Sequence, residues 1–259
     1  MTMLHEPVDL GSGRRLRGGI LAQALPLPDG WENGIGFLGT GCQEPQIELP
    51  CVVTDRTEIR PGEGVFFEPI FVQQSSACST LSKLGHTDIA ADRLESTTEW
   101  ALGRLLATGF TTTNPALADA DLISASAEAV DAMSCLEQAI ADVGFGADAV
   151  IHAPFRAAAY LRQQYLIDDL GRSPTGIPVI ISPGYPVTED DEVSLWATGP
   201  VFAAVTDAYP LVDGVTGLPP MKWRQNTDAA YQQRMALAVF DPCLNLTVTF
   251  PVPVCTGGS

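Results

Sequence analysis

Between His86 and Gly109 the chain reads HTDIAADRLESTTEWALGRLLATG, a run without proline. Ile89, Leu94, Ala101 and Leu105, with Thr98 among them, recur near the three-and-four spacing of one helical face. Asp88 falls in the first turn, where a carboxylate meets the positive end of a helix, and Gly109 supplies a C-terminal stop. Gly103 is the one interruption and costs about 1 kcal/mol relative to alanine. The spacing predicts a helix over 86–109, roughly 30 Å long at ~1.5 Å per residue. Taken alone it fits the core helix of any mixed α/β domain. What flanks it narrows the choice.

Upstream, IELPCVVTDRTEIR and VFFEPIFVQQS are β-branched or aromatic runs on either side of Pro61-Gly62-Glu63-Gly64. They predict a long hairpin over 46–76, with Pro50 and Pro69 confining its strands to edges. A hairpin of that length has no core of its own and is marginal in water, so it must rest on another element or another chain. Residues 1–45 are rich in Gly and Pro and show no sustained period; Trp31 and Phe37 read as aromatic anchors of an irregular segment. Arg14, Arg15 and Arg17 form a small basic cluster there. Two readings stand: a solvated arm, or an arm laid across an acidic neighbour.

Downstream, TTTNPALADADLIS reads as a loop. A helix is predicted over 125–143, capped by Ser124 and stopped by Gly144, and a buried strand over 148–153. Pro154 opens a third helix, FRAAAYLRQQYLIDDL, ending at Gly171. A strand at 176–182 leads to a Gly-Tyr-Pro turn, and 188–192 is a solvated acidic loop. Residues 194–206 read as paired short strands bent at Gly199-Pro200, and 209–222 as a Pro/Gly-rich loop. The C-terminal part reads as strands broken at Asp241-Pro242. The class is α+β.

Composition sets limits on function. A net charge of -17 argues against nonspecific nucleic-acid binding, which requires a surplus of Lys and Arg. Only 17% of residues are charged while 46% are hydrophobic, which suggests a surface largely covered by other subunits. No apolar run is long enough to span a bilayer, and the N-terminal sequence lacks the apolar core of a signal peptide. Six cysteines without a CxxC pair read as reduced thiols. His152, between Ile151 and Ala153 in a strand, reads as a structural histidine. No phosphate loop, nucleophile elbow or metal-ligand spacing occurs, and the acidic run Glu189–Glu192 lacks the glycine turn of a calcium loop. Asn245-Leu246-Thr247 matches a glycosylation sequon, which means little without a secretory signal. The residues therefore predict no enzyme, no catalytic group, no cofactor and no metal.

The order of elements is more informative than any motif. CSTLSKLGHTDIAADRLESTTEWALGRLLATG follows the hairpin directly; LEQAIADVG, AVIHAP, FRAAAYLRQ and IPVIISPGYP give helix, strand, helix, strand; RMALAVFDPCLNLTVTF places an arginine before a strand, a proline and a final strand. This arrangement resembles the major capsid protein of tailed bacteriophages, the Hong Kong 97-like fold, of the kind carried by actinobacterial phages. The resemblance implies an N-terminal arm (1–45), an extended loop (46–76), a peripheral domain with a spine helix (77–125 and 223–259) and an axial domain (126–222). It implies a chain that self-assembles into hexamers and pentamers of an icosahedral head enclosing the genome. Its location would be the virion, after assembly in the bacterial host cytoplasm. Separate scaffolding, portal and decoration proteins are implied partners, with DNA enclosed but not read by sequence. Arg14, Arg15 and Arg17 of the arm, Arg60 at the loop tip, and Phe66 and Phe67 on its return are the expected intersubunit contacts. The founding member joins subunits by a lysine–asparagine isopeptide bond, but residues 46–76 hold Arg56 and Arg60 and no lysine. Arginine cannot replace the amine because it stays charged, so a non-covalent shell is expected. The alternatives are an encapsulin-like compartment shell and a tail or head-decoration protein.

Overall fold

The computed structural model describes residues 18–31, 34–38, 64–79, 86–110, 114–144, 148–187, 192–211, 221–222 and 227–253. A 3₁₀ turn at Leu21–Gln23 opens the described part, followed by β1 (Leu25–Pro26), β2 (Ile35–Leu38), β3 (Gly64–Phe67) and β4 (Ile70–Ser79). Next come α1 (His86–Thr108), a second 3₁₀ turn (Leu117–Asp119), β5 (Asp121–Ala125), α2 (Ala129–Asp142), β6 (Val150–Pro154) and α3 (Phe155–Gln163). The chain closes with β7 (Val179–Ser182), β8 (Glu192–Thr198), β9 (Val201–Val205), β10 (Tyr209–Pro210), β11 (Met221–Lys222), β12 (Thr227–Phe240) and β13 (Asn245–Pro251).

The helix α1 ends where the sequence places its stop. Gly109 takes φ 73°, which glycine adopts without a Cβ clash, and its N–H bonds the Leu105 carbonyl at 2.8 Å. Ala90, Leu94, Thr98, Ala101, Leu102, Leu105 and Leu106 are buried. Each leucine so buried contributes about 1.5–3 kcal/mol. The second half of α1 is covered on almost every side, because one cluster joins its leucines to Val72, Ala236, Ala238 and Phe240 and also to Ile180, Tyr185 and Trp196. The helix is thus clasped between two sheets.

The first sheet is built on β12. It pairs antiparallel with β4 from Thr227↔Ser79 to Ala236↔Ile70. Along its other edge lie β11, β10 and β9, and β1 runs parallel to β9. The second sheet has the order β5-β13-β8-β6-β7. One face of it, including Ile151, Val179, Leu195 and Phe250, packs on Met133, Leu136, Ile140, Ala157 and Leu161 of α2 and α3. A two-stranded ladder, β2 with β3, lies where Ile35 and Phe67 cover Leu237 and Val239 of β12.

Several expectations need correction. The return arm of the expected hairpin divides at Pro69, which cannot donate to a ladder, into β3 and β4. β3 pairs with β2, inside the segment read as irregular; residues 46–63 lie outside the described residues. The helix expected from 125 begins at Ala129, because Asp121–Ala125 join the second sheet beside β13. The helix expected to reach 170 stops at Gln163. Tyr165 takes φ 58°, and the Leu166 N–H closes a six-residue loop onto the Leu161 carbonyl at 2.9 Å. β8 and β9 are not paired with each other but belong to different sheets. Cys243 is disulfide-bonded, whereas Cys135 is a free, exposed thiol. A reducing compartment disfavours disulfides without forbidding them, so the all-thiol reading fails at Cys243.

Candidate functional site

Two strands leave one sheet for the other side by side. β8 passes into β9 through Gly199-Pro200, and β12 passes into β13 through residues 241–244. β9 pairs antiparallel with β12, and β8 with β13, so one ribbon runs through both sheets. The proline at each crossing removes an N–H that would otherwise continue a ladder. The two crossings are tied together, since the buried Asp241 donates its N–H to the Pro200 carbonyl at 3.1 Å. Its Oδ1 accepts the Cys243 N–H at 3.0 Å. β9 therefore joins the first sheet directly after the second-sheet strand β8, and β13 returns to the second sheet directly after β12.

His152 lies beneath this joint with no exposed surface. The Thr198 hydroxyl donates to the Gly199 carbonyl at 2.9 Å and so accepts from His152 Nε2–H at 2.8 Å. That leaves Nδ1 to accept the Tyr185 hydroxyl at 2.7 Å. Burial lowers the His152 pKa to about 3. Burial and the nearby negative charge of Glu99 push the Tyr185 phenol well above its ordinary value, so it stays a donor. Hydroxyl, imidazole and phenol in a row suggest a nucleophile with its base. Yet Thr198 is buried and its proton is committed to a backbone carbonyl. The row ties β6 and β8 to the turn after β7, as expected of a structural histidine. Among the described residues no group of three or more His, Cys, Asp or Glu side chains converges on a metal site.

Side chains of α1 hold the segments around it. The Glu99 carboxylate accepts the Ile20 N–H at 3.0 Å and the Leu21 N–H at 2.7 Å, pinning the first 3₁₀ turn. Arg234 of β12 meets Glu95 at 2.8 Å. Beyond the end of α1, Asn114 clasps Glu68, accepting its N–H at 2.7 Å and donating to its carbonyl at 3.1 Å. These contacts were not visible in the sequence. The available signal was a carboxylate, Glu99, beside the apolar face of a helix. Asn245, of the sequon, donates to the Ala116 carbonyl at 3.0 Å.

Of the expected contact residues, Arg14, Arg15, Arg17 and Arg60 lie outside the described residues. Phe67 is buried by its own chain, edge-on to Phe240 at 6.4 Å between ring centres. Phe66, its neighbour, is 43% exposed and lies over Gly34, where any Cβ would strike the ring. Phe71, on the face of β4 opposite the buried Val72, is 66% exposed. The structure separates the expected pair. Phe67 belongs to the core and Phe66 to the surface.

No protein-family model matches the sequence, and no curated protein sequence matches it. Solved structures do match over nearly the whole chain. The capsid of an empty GTA particle superposes with a TM-score of 0.57 at 12% identity, covering 95% of this chain and 96% of that one. A chain of Gordonia phage Cozz gives 0.54 at 12% identity, with 98% and 92% covered. One of Mycobacterium phage Ogopogo gives 0.52 at 16% identity, with 96% of each covered. The fold is a capsid-subunit fold. At such identities the likeness is one of fold alone.

Proposed function

We propose that this chain is the major capsid protein of a tailed phage and self-assembles into the icosahedral head that encloses the genome. The observation that carries the reading is the match of 95% of this chain to 96% of a chain in the capsid of an empty GTA particle. In this reading α1 is the spine helix of a Hong Kong 97-like subunit. The first sheet belongs to the peripheral domain, the second sheet with α2 and α3 to the axial domain, 1–45 to an arm and 46–76 to an extended loop. Phe66 and Arg60 would reach a neighbouring subunit, while Phe67 anchors the base of the loop. The charge of -17 per chain suits a wall from which packaged DNA must stay free, and it calls for salt to screen subunit repulsion during assembly. Scaffolding, portal and decoration proteins would be separate chains.

Negative-stain imaging of the purified chain and of lysate tests the proposal. Closed icosahedral particles are expected. Particles loaded with protein cargo would favour a compartment shell, tubes or fibres a tail protein, and small soluble oligomers alone would overturn the shell reading.

A further inference from the structure

β5 is the terminal strand of the second sheet, and among the described residues its ladder runs only to β13. Among the described residues no strand pairs with its outer edge, the arrangement that accepts an added strand. Asp121, Leu122, Ile123 and Ala125 are exposed, Leu122 at 61%. The register skips Ile123 at a bulge between Leu122 and Ser124, which re-aims a side chain at the edge. Besides this bulge, its short length and Asp121, nothing on the strand blunts the edge, as it carries no lysine and no proline.

The surroundings are acidic. No lysine or arginine occurs between Arg104 and Arg156, and Asp119, Asp121, Glu128 and Asp131 are exposed around the strand. A segment that fits must be extended, basic and partly apolar. The stretch LGSGRRLR (10–17) meets all three conditions, with Arg14, Arg15 and Arg17 around Leu16, the densest basic cluster in the chain. It ends next to Gly18, whose carbonyl accepts the Ile181 N–H at 2.9 Å on β7. β7 is the opposite edge of the same five-stranded sheet from β5. Four strand spacings separate the two, about 19 Å at ~4.8 Å each. The arm starts from one edge, and the surface that suits it lies on the other. Copies arranged head to tail bring those two edges together, a contact that closes rings and is not self-complementary.

We propose that the β5 edge of one copy receives residues 10–17 of the next. Leu16 packs at Leu122 and Ile123, and the three arginines pair with the carboxylates of Asp119, Asp121, Glu128 and Asp131. The proposal rests on the shell reading and names the surface that orders copies within a ring.

The test places a photo-reactive benzoylphenylalanine at position 123 of the full chain and assembles it from isotope-labelled and unlabelled copies. After irradiation and proteolysis, mass spectrometry is expected to join β5 of one isotope to residues 10–17 of the other. Cross-links confined to one copy, or made to any other segment, overturn the contact. A chain with Arg14→Glu, Arg15→Glu and Arg17→Glu is expected to stay folded by circular dichroism and to lose its particles. Adding Asp119→Lys, Asp121→Lys, Glu128→Lys and Asp131→Lys to that chain is expected to restore them. Normal particle yield from the arm-reversed chain, or no rescue, also overturns the contact. A wild-type chain that forms no particles counts against the shell reading itself, whereas normal particles from the arm-reversed chain count against this contact alone.

Discussion

Gly184 lies against Gly103 so closely that a Cβ on Gly184 would stand 2.9 Å from Gly103 Cα and 2.1 Å from the Trp100 carbonyl oxygen. The turn after β7 and the spine of α1 touch backbone to backbone. Neither contact can swing aside as a side chain would. Gly184→Ala is therefore expected to destabilise by overpacking at least in the range of about 1–3 kcal/mol. A thermal melt of the isolated subunit checks this, and an unchanged midpoint would contradict the packing. Gly103, a weak point of the helix by propensity, is explained by the same approach, since a Cβ there would strike Ser182.

Phe66 and Phe67 should behave differently. Phe67→Ala opens a cavity between Ile35, Leu237 and Val239 and is expected to cost about 3–5 kcal/mol in subunit stability. Phe66→Asp leaves that core intact, so the subunit should melt as the parent does while particle yield falls. Equal loss of stability in both variants, by denaturant titration, would erase the distinction.

How much of this was legible beforehand depends on the range of the contact. The limits of α1 and the break between β12 and β13 follow from local chemistry: a glycine able to take positive φ, and a proline that cannot continue a ladder. The early start expected for α2 came from Ala-Ser-Ala-Glu, good helix residues that tertiary pairing with β13 overrides. Nothing local marks Glu99 as the anchor of Ile20 and Leu21, because that contact spans most of eighty residues of chain. The sheet membership of β8 and β9 was equally hidden. A Gly-Pro bend looks the same whether the strands fold back on each other or part company.

The premature end of α3 yields a third expectation. Tyr165 is 91% exposed, so its side chain does little packing, yet it holds φ 58°. Left-handed backbone costs an L-residue roughly 1–2 kcal/mol that glycine avoids. Tyr165→Gly is expected to raise the melting midpoint of the subunit, offset in part by the greater freedom of glycine in the unfolded chain. A lower midpoint would show that the exposed ring does more for the subunit than its surroundings indicate.

Acid should loosen the subunit through His152. Its folded pKa of about 3 lies below the unfolded value of 6.5, so the unfolded chain takes up the proton first as pH falls. The stability concerned is fully present above 6.5 and declines as pH drops toward 3, by up to about 1.4 kcal/mol per pH unit. His152→Gln keeps a donor and an acceptor but does not titrate. Urea titrations across this window should show a shallower loss for the variant, although it starts less stable near neutrality. Parallel curves for the two proteins would remove His152 from the account.

The ribbon formed by β8–β9 and β12–β13 has a mechanical consequence. A load applied along it at either sheet is carried across the joint by two covalent strands at once, tied at Asp241 and Pro200. The ladder bonds lie across that pull and resist it together, in shear, rather than parting one after another like a zipper. The ribbon is therefore expected to resist a pull along its length better than forces that peel a sheet edge away from it.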